Sequence, residues 1–401
     1  MTQSNVFGEL PSNAASNIEA YNLHIPDSEI KHMLDLLKLT PVAGPAYENS
    51  LPDGDRHLGI RRDWLVEAKR VWETDFKWRE TEKHINSFPN FQVPVDDKLG
   101  KFDIHFVAFF SKRPDAVPVV LLHGWPGSFL EFLPMLELFR KKYTPETLPY
   151  HLVVPSLPGY TLSALPSISH DISQVDVARI MDNLMKQIGF GEGYIAQGGD
   201  VGSRVARIIA VNHDACKVNF CSINRPASAV NDSSLSEIEQ DGLKRWEAWK
   251  ATGVAYALEH ATKPSTIGFV LSSNPLALLS WVGEKFLDWT DAPLPLNTIL
   301  EASSLYWLSK CAHSNLWSYR HSYGPKSIPH DDPKYHIKVA LGYSYYPKEL
   351  IPIPIEWVAT TGNLVWRKIH EKGGHFAALE QPKEFMEDLE AFVGEAWGHH
   401  T

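Results

Sequence analysis

The chain has 401 residues, 44% hydrophobic and 21% charged, which is average globular usage and excludes a largely disordered polymer. Its formal net charge is −10 with no dense run of Lys or Arg, so the field that draws a phosphate backbone is missing and a nucleic-acid partner is not expected. At this length one large α/β domain with additions, or two ordinary domains, would bury a substantial core.

The opening stretch, MTQSNVFGELPSNAASNIEA, has neither a basic segment nor a continuous apolar one, and nowhere do about 18 uninterrupted apolar residues occur. No signal peptide and no membrane span are expected. PDSEIKHMLDLLK then reads as a helix opened by Asp27 or Ser28, and RRDWLVEAKRVWETDFKWRETEKHIN as a second, amphipathic one. FDIHFVAFF alternates like a strand. From Val117 the rhythm becomes strand, turn, helix: VPVVLLHG, YHLVVPSLPG and GYIAQGG are apolar runs, each followed by a plausible helix, and CKVNFCSINRP is a fourth run. The stretch that follows is helical in texture and crowded with Trp and Tyr, after which strand rhythm returns in HIKVALGYSYY and NLVWRKIH. Cys216, Cys221 and Cys311 have no zinc-type spacing, so they read as small buried hydrophobes and reduced thiols of a cytoplasmic protein.

This alternation predicts an α/β fold with a mostly parallel central sheet and helices on both faces. The expected parts are an N-terminal extension packing on the core (1–110), a first core segment (111–226), a helical cap inserted late in the sheet (227–332) and a second core segment (333–401). A cap over the carboxyl edge of the sheet is where a pocket would form.

The strongest local signal is GGDVGS (198–203), between the strand YIAQ and the helix SRVARIIAV. It fits a nucleophile elbow, G-x-Nu-x-G, with Asp200 in the nucleophile position. Flanking glycines permit the sharp turn, and the helix N-terminus favours an ionised carboxylate. Read alone, the same Asp200 is an ordinary helix N-cap. A second motif, HGWPGS (123–128), follows the strand VPVVLL, where a loop can supply an oxyanion-hole amide; the donors would be Trp125 and Val201. A base and its supporting acid should come later in the chain. GGHFAALEQP places His375 in a glycine-rich loop after the last strand, whereas His399 and His400 sit in a polar tail and His370 within a strand. Asp331, Asp332, Glu349, Glu356 and Glu371 all compete for the acid, and Glu349 comes just after the strand ending SYYPK.

Beyond these motifs, WRETEKHINSFPNF, YALEHATKPSTIGFVLSSNPLALLSWVGEKF and SLYW complete a pattern that covers nearly the whole chain from about Tyr21 to Trp397. With it the chain resembles the microsomal-type epoxide hydrolases of the α/β-hydrolase fold, most closely their soluble fungal members. The resemblance implies Asp200 as nucleophile, His375 as base, Glu349 as its orienting acid, and Tyr256 and Tyr319 as lid tyrosines. One departure is the glutamate of YYPKEL, where animal members carry glutamate and fungal relatives aspartate. Another is the absence of the membrane anchor of animal members. A homodimer is implied by relatives alone.

A protonated tyrosine can donate to the oxygen that leaves an opening epoxide, and an imidazole can activate water against the resulting ester. No metal or organic cofactor is required. Trp125, Phe129, Trp281 and Phe376 are expected on the pocket wall, and Trp281, Trp289, Trp307 and Trp317 as cap core. Any tyrosine taken blindly is more often plain packing, so Tyr256 and Tyr319 rest on the family match. The rival enzyme is a haloalkane dehalogenase, which would need halide donors in place of the tyrosine pair. No G-x-S-x-G elbow supports a serine esterase. A non-catalytic ligand-binding protein on the same fold would lack one of Asp200, Glu349 or His375.

Overall fold

The computed structural model describes residues 6–165, 169–221, 235–323 and 328–399. The chain opens with a two-residue strand, β1 (Glu19–Ala20), followed by helices α1 (Asp27–Leu39), α2 (Arg62–Thr74) and α3 (Trp78–Ile85), and then a hairpin of β2 (Asn90–Asp97) and β3 (Gly100–Phe109). Two details differ from the sequence-based expectation. The stretch read as one second helix is two, because after α2 the Phe76 amide reaches back to the Val71 carbonyl and Lys77 is extended (φ −124°, ψ 99°). The break lets Trp72 and Trp78 bury separately. Helix α1 starts after Pro26 with no side-chain cap, and Asp27 pairs instead with Arg79. Strands β1 and β2 were not anticipated. Since β1 pairs only with Phe91 and Gln92, β2 is effectively an edge at Pro94, where a missing N–H is tolerated.

The core follows as β4 (Val117–Leu122), α4 (Leu133–Lys142), β5 (Tyr150–Pro155), α5 (Gln174–Gln187), β6 (Tyr194–Gly198), α6 (Asp200–Asn212) and β7 (Cys216–Cys221). Every residue of β4, β5 and β6 is buried, which is why these strands read as unbroken apolar runs rather than alternating ones. Six helices come next: α7 (Glu237–Thr252), α8 (Ala255–Thr262), α9 (Pro264–Ser273), α10 (Pro275–Asp288), α11 (Leu296–Leu308) and α12 (Trp317–Tyr323). The expected start of a cap at residue 227 lies outside the described residues, as does the Cys221 side chain. The chain then returns as β8 (Ile337–Tyr345), α13 (Ile355–Ala359), β9 (Gly362–Ile369), α14 (Ala377–Glu380) and α15 (Pro382–Ala396).

Among the described residues nine strands form one sheet in the order β1-β2-β3-β5-β4-β6-β7-β8-β9, antiparallel up to β5 and parallel beyond it. Helices α5 and α6 pack together, as do α4 and α15, giving helical layers on both faces. The strand order reverses about β4, so the carboxyl ends of β4 and β6 open a crevice between diverging loops. The N-terminal strands extend the sheet, while α1, α2 and α3 pack against α10 and α11. Trp72 Nε1 donates to Ser304 Oγ at 2.9 Å, and Arg56 pairs with Asp288 at 2.7 Å, which ties the N-terminal segment to the six-helix insertion.

Candidate active site

The sharpest bend lies between β6 and α6. Asp200 sits there with φ +48°, a left-handed conformation that costs a non-glycine residue of order 1–3 kcal/mol. Neighbouring glycines leave room for it. A Cβ on Gly202 would lie 2.1 Å from the Leu122 carbonyl oxygen, and one on Gly124 would lie 2.1 Å from Asp200 Oδ1. No side chain fits at such distances, so Gly202 follows from backbone packed on backbone and Gly124 from backbone packed on the Asp200 side chain. Ser203 Oγ closes the turn by donating to the Asp200 carbonyl at 2.6 Å.

The loop after β4 lies against this bend. The Trp125 amide donates to Asp200 Oδ1 at 2.8 Å, and Val201, next in the chain, lines the same hollow. His123 holds the loop in place: its Nε2 accepts from the Leu157 amide at 3.0 Å, and burial pushes its pKa down to about 4, so it stays neutral. Tyr306 on α11 donates to the Gly127 carbonyl at 2.7 Å and braces the loop from the insertion.

Across the hollow, His375 Nε2 is 3.7 Å from Asp200 Oδ2, and His375 Nδ1 is 2.7 Å from Glu349 Oε1. The Asp200 φ, the Trp125 amide and this pair bring together residues from the carboxyl ends of β4, β6, β8 and β9. Burial disfavours charge on His375, but Glu349, Asp200 and Glu131 outweigh it and raise the imidazolium to about 9. Glu349, half-buried, is held below the usual carboxylate range, against desolvation, by His375 and by the Leu350 amide. The His375 loop is clamped: its amide donates to the Trp289 carbonyl at 2.9 Å, Gly373 N–H to Asp291 at 2.9 Å, and Glu380 accepts from the Asp291 and Phe376 amides. Asp332 instead caps a short turn through the Lys334 amide.

Tyr256 on α8 and Tyr319 on α12 face the carboxylate from above, their rings 5.6 Å apart and each packed on the Trp125 indole. Burial, together with nearby Asp200, drives both phenols well above their ordinary pKa, so both remain donors at neutral pH. The Tyr319 hydroxyl has no hydrogen-bond partner among the described residues. Asp200, Tyr256, Tyr319, Glu349 and His375 bound one hollow.

With the geometry established, comparison with known proteins is informative. The model described as epoxide hydrolase N terminus matches residues 18–132, and that of the alpha/beta hydrolase fold residues 117–268. The solved Aspergillus niger epoxide hydrolase is 47% identical, covers 98% of this chain and 100% of its own, and superposes with a TM-score of 0.92. A Dothistroma septosporum protein named "Putative epoxide hydrolase" is 42% identical over 97% of this chain and 93% of its own length. The chain belongs to the epoxide hydrolase family. Rabbit (Oryctolagus cuniculus) epoxide hydrolase 1 is a more distant relative, 27% identical over 94% of this chain and 89% of its own.

For a member of the epoxide hydrolase family, four side chains at this site carried no local sequence signal. Glu131 lines a second hollow behind Asp200 and His375, and burial with the Asp200 charge lifts its carboxyl to about 8. His260 lies between Trp125 and Tyr319, accepts from Trp281 Nε1 at 2.9 Å, and is held neutral by burial and by Lys285, down to about 3. Lys285, 3% exposed, stands 4.5 Å over the Tyr256 ring and also over Trp281 and Trp289, a cation caged by three aromatic faces. The fourth, Arg204, lines the hollow that Asp200 and His375 share.

Of the expected wall residues, Trp125 and Phe376 line the rear hollow, and Trp281 lines the outer groove shared with Tyr256. Phe129 does not: it is fully buried against His105, because the turn after Ser128 points it toward the sheet. Among the described residues no group of His, Cys, Asp and Glu side chains could hold a metal ion. No single described helix is long and apolar enough to cross a membrane. α9 and α10 together pass on length and composition but meet at a 116° bend.

Proposed function

We propose that this protein converts an epoxide and water into a vicinal diol through an alkyl ester on Asp200. The observation that carries the reading is the division of labour on one carboxylate: Oδ1 accepts the Trp125 amide, while Oδ2 faces His375 beneath the two tyrosines. In the first step Oδ2 attacks a ring carbon, the carbon–oxygen bond breaks, and the ring oxygen takes a proton from Tyr256 or Tyr319. In the second, water attacks the ester carbon while His375, oriented by Glu349, removes its proton. Charge then develops on Oδ1, where the Trp125 and Val201 amides would receive it. Collapse releases the diol and re-forms the carboxylate, and the proton set free in that hydrolysis restores the tyrosine.

The electrostatics suit this order. In the resting protein the Asp200 charge helps keep His375 protonated. Esterification removes that charge, so the imidazole becomes a better base when the ester awaits water. The helices α7 to α12 would act as a lid, with Tyr256 and Tyr319 delivered from it.

A panel of aryl, aliphatic and terpenoid epoxides, run beside haloalkanes and carboxylic esters, tests the assignment. Diol from epoxides with no halide or acid from the others is the expected outcome. Halide release or ester cleavage without any diol would overturn it.

A further inference from the structure

The catalytic hollow contains one cation that the proposed reaction does not use. Arg204 follows Asp200 by four residues on α6, so the two side chains stand one turn apart on the same helix face. Both line the same hollow, together with Ser203, Tyr319 and Tyr323. Among the described residues the guanidinium donates once, from Nη1 to the Ile328 carbonyl at 2.6 Å. Among the described residues no carboxylate lies within ion-pair distance of it, and the partner of Asp200 at that range is His375.

This placement is unfavourable, because a partly buried cation without a counter-ion is destabilising unless something else compensates. The groups facing Arg204 do not neutralise it. Tyr323, on α12, has its phenol pushed up to about 12 by burial and stays uncharged at neutral pH. Arg207 has the same sign, and His330 is kept neutral by burial and by the two guanidiniums. Asp200 supplies a negative charge that acts on it, and the proposed reaction removes that charge when the ester forms.

We propose that Arg204 is a substrate-carboxylate subsite, and that the preferred substrates are epoxides bearing a carboxylic acid. The proposal rests on Asp200 being the carboxylate that opens the ring. With Nη1 engaged by Ile328, Nε and Nη2 remain as a planar fork, the geometry that a carboxylate accepts in two parallel bonds. One cation matches one negative charge, and its place on the Asp200 face of α6 lets one small molecule reach both groups.

The test pairs terminal epoxyalkanoates of increasing chain length with their primary amides. At the best chain length the native enzyme should favour the acid in kcat/KM by about tenfold or more. Arg204→Gln should bring the acid-to-amide ratio close to one, and Arg204→Lys should retain part of it. A native ratio near one, or a preference that survives Arg204→Gln, overturns the subsite. A readout independent of variant folding is competition on the native protein: an unreactive alkanoate should inhibit styrene oxide turnover at a concentration about tenfold lower than the matching alkanamide, and equal inhibition overturns the proposal. If no epoxide gives diol, the reading of Asp200 has failed instead. Diol from acids and amides at equal rates refutes Arg204 alone.

Discussion

The Trp125 amide and Asp200 Oδ1 are joined by a 2.8 Å hydrogen bond in the resting protein, which fixes the rotation of the carboxylate and leaves Oδ2 as the oxygen nearer His375. The amide therefore already occupies the place where the proposed ester hydrolysis would develop charge on Oδ1. Because Gly124 has no side chain, the loop approaches Asp200 closely enough for this contact. One bond thus connects a glycine in the sequence, the strained φ of Asp200 and the second chemical step.

Replacing the base should separate the two steps. His375→Gln leaves the Asp200 nucleophile and the tyrosines in place but cannot deprotonate water. The variant should form the ester and stall, with breakdown slowed by roughly 10²–10⁴-fold. Intact-protein mass spectrometry after incubation with an epoxide should show the added mass of one substrate, retained on the peptide that contains Asp200. An unmodified variant that still forms diol at the native rate contradicts the role of His375.

In the proposed mechanism the tyrosines act on the first step. The double variant Tyr256→Phe, Tyr319→Phe should keep its fold, because the rings still pack on Trp125, yet alkylate roughly 10²–10⁴-fold more slowly. Stopped-flow measurement of ester formation, with circular dichroism as the folding control, checks this. A folded double variant that opens epoxides at an undiminished rate removes the tyrosines from the mechanism.

The pH dependence has a definite sign. Against the opposing effect of burial, Glu349, Asp200 and Glu131 raise His375 to about 9 in the free protein. Ester breakdown needs neutral imidazole, so its rate rises with pH; with the Asp200 charge removed, the midpoint should fall below 9. NMR titration of the His375 ring in the free protein, beside single-turnover breakdown rates across pH, gives both numbers. A free-protein value near the unperturbed 6.5, or a breakdown midpoint above the free-protein value, is inconsistent with the electrostatics described above.

Much of the core and its motifs was legible in the sequence, and for local reasons. VPVVLL, YHLVVP and YIAQG are strands buried on both faces, so each is an unbroken apolar run. GGDVGS and HGWPGS are glycine patterns dictated by contacts between adjacent turns. What escaped depends on distant partners. Pro94 hides β2, since only the near-edge position of that strand makes it tolerable. Phe129 looked like pocket wall because its loop reaches the site, but its own side chain turns to His105. Glu131, Lys285 and Arg204 carry no local signal in the sequence. Their character comes from burial imposed by other elements, which no spacing rule reveals. Glu349 was one of five acids in its window, and its 2.7 Å contact with His375 exists only after β8 and β9 pair.

The central claim is that an Asp200 oxygen ends up in the product. Single turnover with enzyme in excess over a styrene oxide substrate, in water enriched in oxygen-18, tests it most directly. The account predicts a first diol without label and one heavy oxygen in the Asp200 carboxylate, found by mass spectrometry of the peptide that contains it. Label in the first diol, with an unlabelled Asp200, would mean that water attacks the ring itself and that the carboxylate never bonds to substrate.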